Sequence, residues 1–336
     1  MRRALVLIVV ASLALTIGGC TRGEQSEEPG TFRVGMVFDV GGKGDKSFND
    51  SAYRGLLHAA DDFKVEHTEF EPGQDADREV GLRKLAQAGY DVIIGVGFLF
   101  SDAIKKVAID YPDVHFACVD YDIRPGEELP ANFSGLIFRE EEGSFLVGAL
   151  AAMYTTTERI GFIGGMDVPL IHRFEAGYIA GAEYVNPGIS VTVAYAGTTP
   201  QAFADPAKGK ELALLQYGRG VDVIYHASGS TGNGVIEAAR EAGRVAIGVD
   251  SNQNYMAPGH MLTSMVKRVD NAVYMTIKSA LDGDYASGVR WFGLAEDGVG
   301  YAVDEYNQDL LSEEMIARVE AIKAKVIAGE IAVPNE

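Results

Sequence analysis

The sequence predicts an α/β protein made of two similar lobes, each with a doubly wound parallel sheet covered by helices on both faces. Three observations support this fold class. Short apolar and β-branched runs alternate with helix-spaced apolar patterns along almost the whole chain. The connections between these runs are short, and the series occurs twice. The chain of 336 residues also exceeds the length at which one hydrophobic core keeps growing, so two domains are expected.

The first series of strands and helices starts at residue 32. Residues 32–38 form an apolar run typical of a buried strand, and residues 49–63 carry apolar side chains at helical spacing. The same alternation then continues to residue 138. The predicted strands are 32–38, 65–70, 91–96, 114–119 and 133–138, and the predicted helices are 49–63, 75–88 and 101–111.

The second series starts with a helix predicted at residues 141–154. One of its helices starts near Pro206, where the missing N–H of proline costs nothing. The predicted strands are 159–163, 190–195, 221–227, 244–249, 261–266 and 289–294, and the remaining predicted helices are 170–184, 206–217, 234–242, 269–281 and 311–327.

The amino-terminal segment predicts export and attachment to a membrane. Two arginines precede an apolar stretch at residues 4–17, which is shorter than the ~20 residues of a membrane-spanning helix. The stretch ends in Ile-Gly-Gly before Cys20, which resembles the lipobox of bacterial lipoproteins. We therefore predict a signal peptide at 1–19, a lipid on Cys20 and a flexible tether at 20–31, rich in Glu, Gly, Ser and Pro. The alternative is an ordinary secretory signal with a chance cysteine.

The composition excludes some classes of partner and chemistry. A formal net charge of −19 repels nucleic acid, so none is expected as a partner. If Cys20 carries lipid, Cys118 is the remaining cysteine and cannot form an intramolecular disulfide. It lies in the apolar run 114–119, which favours a small core residue over a nucleophile.

Acidic residues follow three of the predicted strands. Asp39, Asp120 and Asp250 each stand at the carboxyl end of a strand, where open α/β sheets bind their ligands. Three acids in one cleft would repel a phosphate and suit hydroxyl and N–H donors. Each residue taken alone has the alternative interpretation of a loop or cap residue. The other loops expected at the cleft open at Gly97, Gly164 and Ser228.

The loop at residues 39–50 reads DVGGKGDKSFND. It is not a P-loop, because Asp45 separates the glycine from Lys46. The loop presents Lys46 and Ser47 beside Phe48, whose ring offers a stacking face, and Asn49, whose amide suits a purine edge. The alternative is that Phe48 packs in the core and Asn49 caps the helix.

The loop at residues 228–234 contains glycines at 229, 232 and 234. Their spacing differs from the dinucleotide-binding motif, so it indicates only a close approach of backbone N–H groups to a polar ligand. Metalloprotease and hydrolase motifs are absent from the sequence, and His172 and His226 alone among the histidines lie near predicted cleft loops. We predict no catalytic residue, metal ion or cofactor.

The chain also contains the motifs DKSFN at 45–49, RFEAG at 173–177, DPAKGK at 205–210, GNGV at 232–235, GVDS at 248–251 and TSMVKR at 263–268. With these motifs and the lipobox-like sequence, the chain resembles the basic membrane protein family of nucleoside-binding lipoproteins. The resemblance implies a type I periplasmic-binding-protein fold with three hinge crossovers. It also implies delivery of ligand to an ABC importer from the extracytoplasmic face of the cell membrane. We expect lobe 1 at residues 32–139 and about 254–295, and lobe 2 at 140–253 and about 296–336.

The same resemblance implies roles for individual residues. Phe48 would stack on the base, Asn49 would read its edge, and Asp120 would hydrogen-bond the base. Asp250 and Lys267 would lie near the ribose hydroxyls.

The resemblance implies less specific roles for the other residues of the site. Asp39 matches a pocket acid, and Gly229 and Gly232 match positions of close backbone approach. Phe174 is the candidate for a second stacking aromatic, with Tyr225 and His226 as rivals.

The resulting prediction is a monomeric binding protein that takes a nucleoside, with a purine favoured. The alternatives are the same scaffold with a sugar or signalling ligand, a nucleoside-cleaving enzyme, and a transcription-factor effector domain. The last is disfavoured because no helix-turn-helix pattern precedes the first strand.

Overall fold

The computed structural model describes residues 31–335, which fold into two α/β lobes. The predicted signal peptide at 1–19, Cys20 and the predicted tether up to residue 30 lie outside the described residues. Within residues 31–335, no helix is both long enough and apolar enough to cross a membrane.

Strands and helices alternate along the described chain. The strands are β1 (Arg33–Val37), β2 (Glu66–Phe70), β3 (Val92–Val96), β4 (His115–Val119), β5 (Phe133–Phe138), β6 (Arg159–Met166), β7 (Ser190–Gly197), β8 (Val223–Ala227), β9 (Val245–Asp250), β10 (Met261–Lys267), β11 (Gly288–Phe292) and β12 (Val299–Tyr301). The helices are α1 (Phe48–Phe63), α2 (Asp77–Gln87), α3 (Ser101–Asp110), α4 (Glu140–Tyr154), α5 (Pro169–Val185), α6 (Pro206–Gly218), α7 (Thr231–Ala242), α8 (Val269–Leu281) and α9 (Glu313–Ile327). Short 3-10 turns occur at Phe98–Phe100, Pro200–Phe203 and Asn254–Met256.

Each lobe contains one six-stranded sheet. The first has the order β11-β5-β4-β3-β1-β2 and the second the order β12-β10-β9-β8-β6-β7. The strand pairs are parallel except for β10 and β12, which are antiparallel. Inner strands such as β3 and β8 are buried at every position, because helices cover both faces of a parallel sheet. This architecture confirms the predicted α/β fold.

The chain passes between the lobes three times. It crosses from β5 to α4, from β10 to α8, and from β11 to β12. These three crossovers are those expected for a type I binding-protein hinge.

The lobe boundary differs from the prediction at one crossover. The sequence placed residues from about 254 in lobe 1, but β10 pairs with β9 in the second sheet. Lobe 2 therefore extends to Lys267, and the chain returns to lobe 1 at α8. The alternation of strand and helix continues unchanged across this point, so the pattern alone does not indicate which sheet a strand joins.

Local hydrogen bonds explain two shifted helix ends. Helix α7 begins at Thr231, three residues before the predicted start, where the Thr231 hydroxyl donates to the Ala202 carbonyl (2.8 Å). Helix α9 begins at Glu313, because the Ser312 hydroxyl caps it by accepting from the Met315 N–H (3.2 Å). The strand β12 was not predicted, since three residues are too few to show a periodicity.

Candidate functional site

A deep pocket opens between the carboxyl ends of the two sheets. It encloses about 560 Å³ of empty space, including its mouth. Both lobes contribute to its walls, as expected for a ligand site at the carboxyl edge of open sheets. The lining residues are Asp39, Val40, Asp45, Phe48, Asn49, Gly97, Phe98, Asp120, Leu170, Ile171, Phe174, Phe203, Ala227, Ser228, Gly229, Val249, Asp250 and Lys267.

The three predicted acids all line this pocket. Asp120 and Asp250 adopt left-handed backbone angles, with φ of 58° and 61°, which aspartate tolerates better than most residues. Burial raises the pKa of Asp39 to about 7, although the Val40 N–H and Arg78 oppose the shift. Burial likewise raises the pKa of Asp250 to about 7 against the opposing effect of Lys267. The pocket therefore has strong acceptors held away from bulk water.

The loop before α1 is organised by Asp45. Its carboxylate accepts hydrogen bonds from the backbone N–H groups of Ser47 (2.9 Å), Asn49 (2.8 Å) and Asp50 (3.1 Å). Asp45 thus satisfies N–H groups at the start of the helix that have no intrahelical partner. Asp45, the residue whose position excludes a P-loop, is therefore a capping residue that stabilises the loop.

The side chain of Asn49 is fully engaged within the protein. Its Oδ1 accepts from the Asp39 N–H (3.0 Å), and its Nδ2 donates to Asp45 Oδ2 (3.1 Å) and the Val40 carbonyl (3.4 Å). Asn49 lines the pocket but has no free amide hydrogen with which to read a base. This geometry supports the alternative that Asn49 is a structural residue.

Two neighbours in the same loop contact lobe 2 directly. The Ser47 hydroxyl donates to Asp250 Oδ2 (2.6 Å), and the Ser251 hydroxyl donates to the Ser47 carbonyl (2.6 Å). The Lys46 carbonyl accepts from Gln253 Nε2 (3.1 Å), while the Lys46 side chain is exposed and does not line the pocket. Lys46 therefore contributes its backbone to the contact between lobes, not a cationic side chain to the ligand site.

Lys267 is buried at the centre of an ion-paired cluster. Its Nζ lies 2.7 Å from both oxygens of Asp120 and 2.9 Å from Glu140 Oε1. The same Nζ lies 5.2 Å from the ring centroid of Phe48 and 5.5 Å from that of Phe174. Burial lowers the pKa of Lys267, but the facing carboxylates outweigh it and raise the pKa overall. An ion-paired lysine amine therefore lies in the wall of the pocket.

Four phenylalanines face the pocket, and two of them were not predicted. Phe48 and Phe174 line it as expected, and Phe98 and Phe203 join them with ring centroids 6.5 Å apart. Phe98 directly follows Gly97, whose loop was expected at the cleft. The position of Phe98 in the sequence could therefore have indicated that it lines the pocket. Phe203 ends a 3-10 turn in a segment without periodicity, and no pattern singled it out. Tyr225 lies in the core, within 3.2 Å of the Ser144 hydroxyl.

Two other predicted residues lie behind the pocket wall. His226 is fully buried, with Nε2 3.1 Å from Gln253 Oε1, and burial lowers its pKa to about 4. A Cβ on Gly232 would lie 1.9 Å from His226 Cε1, so this glycine makes room for the histidine, not for a ligand. Gly229 does line the pocket and has a φ of +56°.

The fold and the pocket are typical of two-lobed binding proteins, a class that takes its ligands between hinged domains. The chain belongs to the family described as ABC transporter substrate-binding protein PnrA-like, whose model matches residues 32–336. It is thus an ABC transporter solute-binding protein and not an enzyme, and the resemblance to the basic membrane proteins is confirmed.

Named relatives support this assignment. The chain is 34% identical to basic membrane protein A of Borreliella burgdorferi, covering 100% of this chain and 96% of the relative. It is 32% identical to the ABC transporter nucleoside-binding protein BmpA of Lactococcus lactis, covering 99% and 98%. An ABC transporter solute-binding protein of Aeropyrum pernix superimposes with a TM-score of 0.82 at 32% identity, covering 91% and 94%. A dimeric Lac repressor at 12% identity, with a TM-score of 0.59 and coverage of 82% and 98%, shares the fold alone.

Proposed function

We propose that this solute-binding protein captures a nucleoside, with a purine favoured, and delivers it to an ABC importer. The observation that carries the proposal is a pocket with aromatic walls and buried carboxylates. Flat apolar rings suit the faces of a base, while carboxylates suit the N–H groups of a base and the hydroxyls of a ribose. The name of the Lactococcus relative agrees with this ligand class.

The proposed pose divides the pocket between base and ribose. Phe48 stacks on one face of the base, and Phe174 or Phe203 covers the other face. Asp120, held by Lys267, accepts from an N–H of the base. Asp250 accepts from the ribose hydroxyls, and its contact with Ser47 orients it.

The backbone near Gly229 completes the proposed site. Gly229 and Ser228 line the pocket where the chain turns into α7, so their backbone groups can approach the ligand closely. Asp39 contributes a further acceptor. Asn49 keeps Asp39 and the loop in place without contacting the base, which differs from the role that the family resemblance implies.

Binding is proposed to occur by closure of the lobes about the three crossovers. Closure removes water from the pocket, so each hydrogen bond to a carboxylate gains strength. A buried donor or acceptor left without a partner costs ~1–3 kcal/mol. Specificity therefore follows from matching the polar groups of the ligand to those of the pocket.

Calorimetry with nucleosides and their 5′-monophosphates tests the proposal. Adenosine, guanosine or inosine should bind at least about tenfold more tightly than the matching monophosphate, because the phosphate meets the buried carboxylates. Equal or tighter binding of a monophosphate would refute the proposed pocket chemistry. Mass spectrometry of ligand released from freshly purified, denatured protein supplies an independent check, and recovery of a sugar would favour the alternative ligand class.

We also propose that the protein is a monomer anchored to the extracytoplasmic face of the cell membrane by a lipid on Cys20. The lipobox-like sequence before Cys20 supports the anchor. Cys20→Ser should release the protein from the membrane fraction while leaving the affinity for adenosine unchanged. Membrane retention of the variant would refute the anchor, and light scattering checks the monomer.

A further inference from the structure

Arg78 of α2 is buried beside Asp39, at the lobe 1 wall of the central pocket. Its side chain is 9% exposed, and its Nη2 lies 3.6 Å from Asp39 Oδ1. Its Nη1 lies 3.0 Å from Asp75 Oδ1, and its Cζ lies 5.7 Å from the ring centroid of Phe100. Within residues 31–335, Asp39 lines the central pocket and Arg78 does not. Arg78 can therefore affect a ligand in that pocket through Asp39.

Stability alone does not account for a cation at position 78. Asp75 is largely exposed, so its ion pair with Arg78 contributes little to the free energy of unfolding. Arg78 Nε is buried and donates to no acceptor in the described chain. A buried donor without a partner is unfavourable, and burial of an ion pair carries a desolvation cost of its own. A role in holding Asp39 explains why the guanidinium lies here.

The two carboxylate oxygens of Asp39 have different surroundings. Oδ1 accepts from the Val40 N–H (2.7 Å) and faces Arg78. Oδ2 accepts no hydrogen bond within residues 31–335 and is not fully buried. It lies against the backbone of Gly97, where an added Cβ would be 2.1 Å away. Oδ2 is therefore the oxygen of Asp39 that remains available to a ligand.

We infer that Arg78 is a positioning residue, which holds Oδ1 of Asp39 and leaves Oδ2 as an anionic acceptor for an N–H or O–H group of the ligand. The inference rests on the proposed function, in which Asp39 accepts a hydrogen bond from the nucleoside. Because the Val40 N–H and Arg78 occupy Oδ1, a proton taken up by Asp39 goes to Oδ2. Protonation thus turns the acceptor into a donor, and ligand binding weakens.

The charges around Asp39 set the pH at which this change occurs. Burial raises the pKa of Asp39 to about 7, Asp120 adds to the rise, and Arg78 opposes it. Arg78 is thus the cation that favours the ionised form. The titratable groups around Asp39 are Arg78 of α2, Cys118 and Asp120 in and after β4, Asp45 of its own loop, Glu71 and Asp75 after β2, and Asp250 and Lys267 across the central pocket.

The pH profile of adenosine binding, measured by calorimetry, tests the inference. In the unmodified protein the affinity should rise with pH and level off above about pH 7. In Arg78→Met the profile should move upward by at least about 1 pH unit, and the affinity at about pH 7 should fall about fivefold. Raising the pH should restore the affinity, which a purely structural defect would not allow. Asp120 and Asp250 titrate nearby, so the shift between the proteins is the quantity compared.

Arg83→Met is the matched control, because it removes a guanidinium from the same helix. Arg83 is paired with Glu79 and Asp110 and does not line the pocket. The control should keep the profile of the unmodified protein. Arg78→Lys retains the positive charge and should shift the profile less than Arg78→Met. If Arg78→Met fails to fold, the comparison of Arg78→Lys with Arg83→Met still decides the inference, and identical profiles would overturn it.

Carbon-13 NMR of the Asp39 carboxyl in the ligand-free protein, assigned with Asp39→Asn, separates the inference from the proposed function. Asp39 should titrate at least about 1 pH unit higher in Arg78→Met than in Arg83→Met. Equal titration would overturn the role of Arg78. A shifted titration with an unchanged adenosine profile would overturn Oδ2 as a ligand acceptor and leave nucleoside capture intact. If adenosine binds at no pH, the adenosine form of the proposed function falls together with the ligand role of Oδ2, while the titration still decides whether Arg78 holds Asp39.

Discussion

At the scale of single residues, the pocket depends on side chains held in place by hydrogen bonds. Asp120 and Asp250 adopt left-handed backbone angles directly after buried strands. Such angles in a residue other than glycine cost about 1–3 kcal/mol and persist only where the surroundings impose them. Here Lys267 holds one carboxylate and Ser47 the other. Two of the six non-glycine residues with positive φ in residues 31–335 are therefore among those proposed to bind the ligand.

The structure predicts different consequences for two adjacent residues of α1. Phe48→Ala should weaken the binding of all purine nucleosides alike, by about 1–3 kcal/mol, because every base has a π-face. Asn49→Ala should lower the melting temperature without changing the ranking among bases, because the Asn49 amide bonds only to the protein. Calorimetry and thermal unfolding of both variants test the pair.

The control for this prediction is a phenylalanine at the other end of the same helix. Phe63 packs against Tyr274, with ring centroids 5.1 Å apart, and is absent from the pocket. Phe63→Ala should reduce stability while the affinity per folded molecule stays constant. If Phe48→Ala behaves in the same way, Phe48 is not a stacking residue.

At the scale of secondary structure, the close contact of α4 and α5 fixes the geometry of the hinge side. A Cβ added to Gly148 would lie 2.1 Å from the Tyr178 carbonyl oxygen, and one added to Gly181 would lie 2.0 Å from the Phe145 carbonyl oxygen. The two helix backbones are therefore nearly in contact. Because α4 begins with Glu140 and α5 carries Phe174, this packing sets the position of both residues at the cleft.

Substitution of Gly181 tests the importance of this contact. Gly181→Ala should destabilise the protein by at least about 1–3 kcal/mol, because the new methyl group forces the two backbones apart. Gly218→Ala is the matched control, since no atom lies within 4 Å of a Cβ at that helical position. It should be neutral or stabilising by up to about 1 kcal/mol. Urea denaturation measures the free energy of unfolding of both variants. Equal free energies of unfolding for Gly181→Ala and Gly218→Ala would contradict the packing argument.

At the scale of the whole molecule, folding places several carboxylates out of water. Burial raises the pKa of Asp39, Asp250 and Glu141 to about 7 each, and it also raises that of Asp120. These groups retain protons in the folded state at a pH where the unfolded chain has lost them. Folding therefore takes up protons between the ordinary carboxyl pKa and about pH 7.

The sign of this linkage gives a pH dependence. Between about pH 4 and pH 7 the stability of the ligand-free protein should fall as pH rises, by up to about 1.4 kcal/mol per pH unit for each such group. Asp250→Asn should make the dependence shallower, whereas Asp282→Asn, at an exposed carboxylate paired with Lys278, should not. Melting temperatures measured across this range test the prediction, and an increase in stability with pH would refute it.

The sequence by itself determined the fold class and indicated several of the loops that line the interlobe pocket. Periodic apolar patterns arise from burial on one or both faces of an element, so they identify strands and helices without knowledge of their neighbours. Because parallel strands place their carboxyl ends at one edge, Asp39, Asp120 and Asp250 were expected together in a single pocket, and they line it. The motifs also indicated the family.

Only the tertiary structure decided which side chains face the pocket and which face the protein. Phe203 reaches the pocket through a turn without a periodic pattern, whereas His226 points into the core and Asn49 bonds to its own loop. The assignment of β10 to the second sheet likewise depended on its pairing with β9. Each of these outcomes depends on contacts between segments far apart in the chain. The local sequence pattern indicates that a residue is buried, but it does not indicate which distant segment packs against that residue.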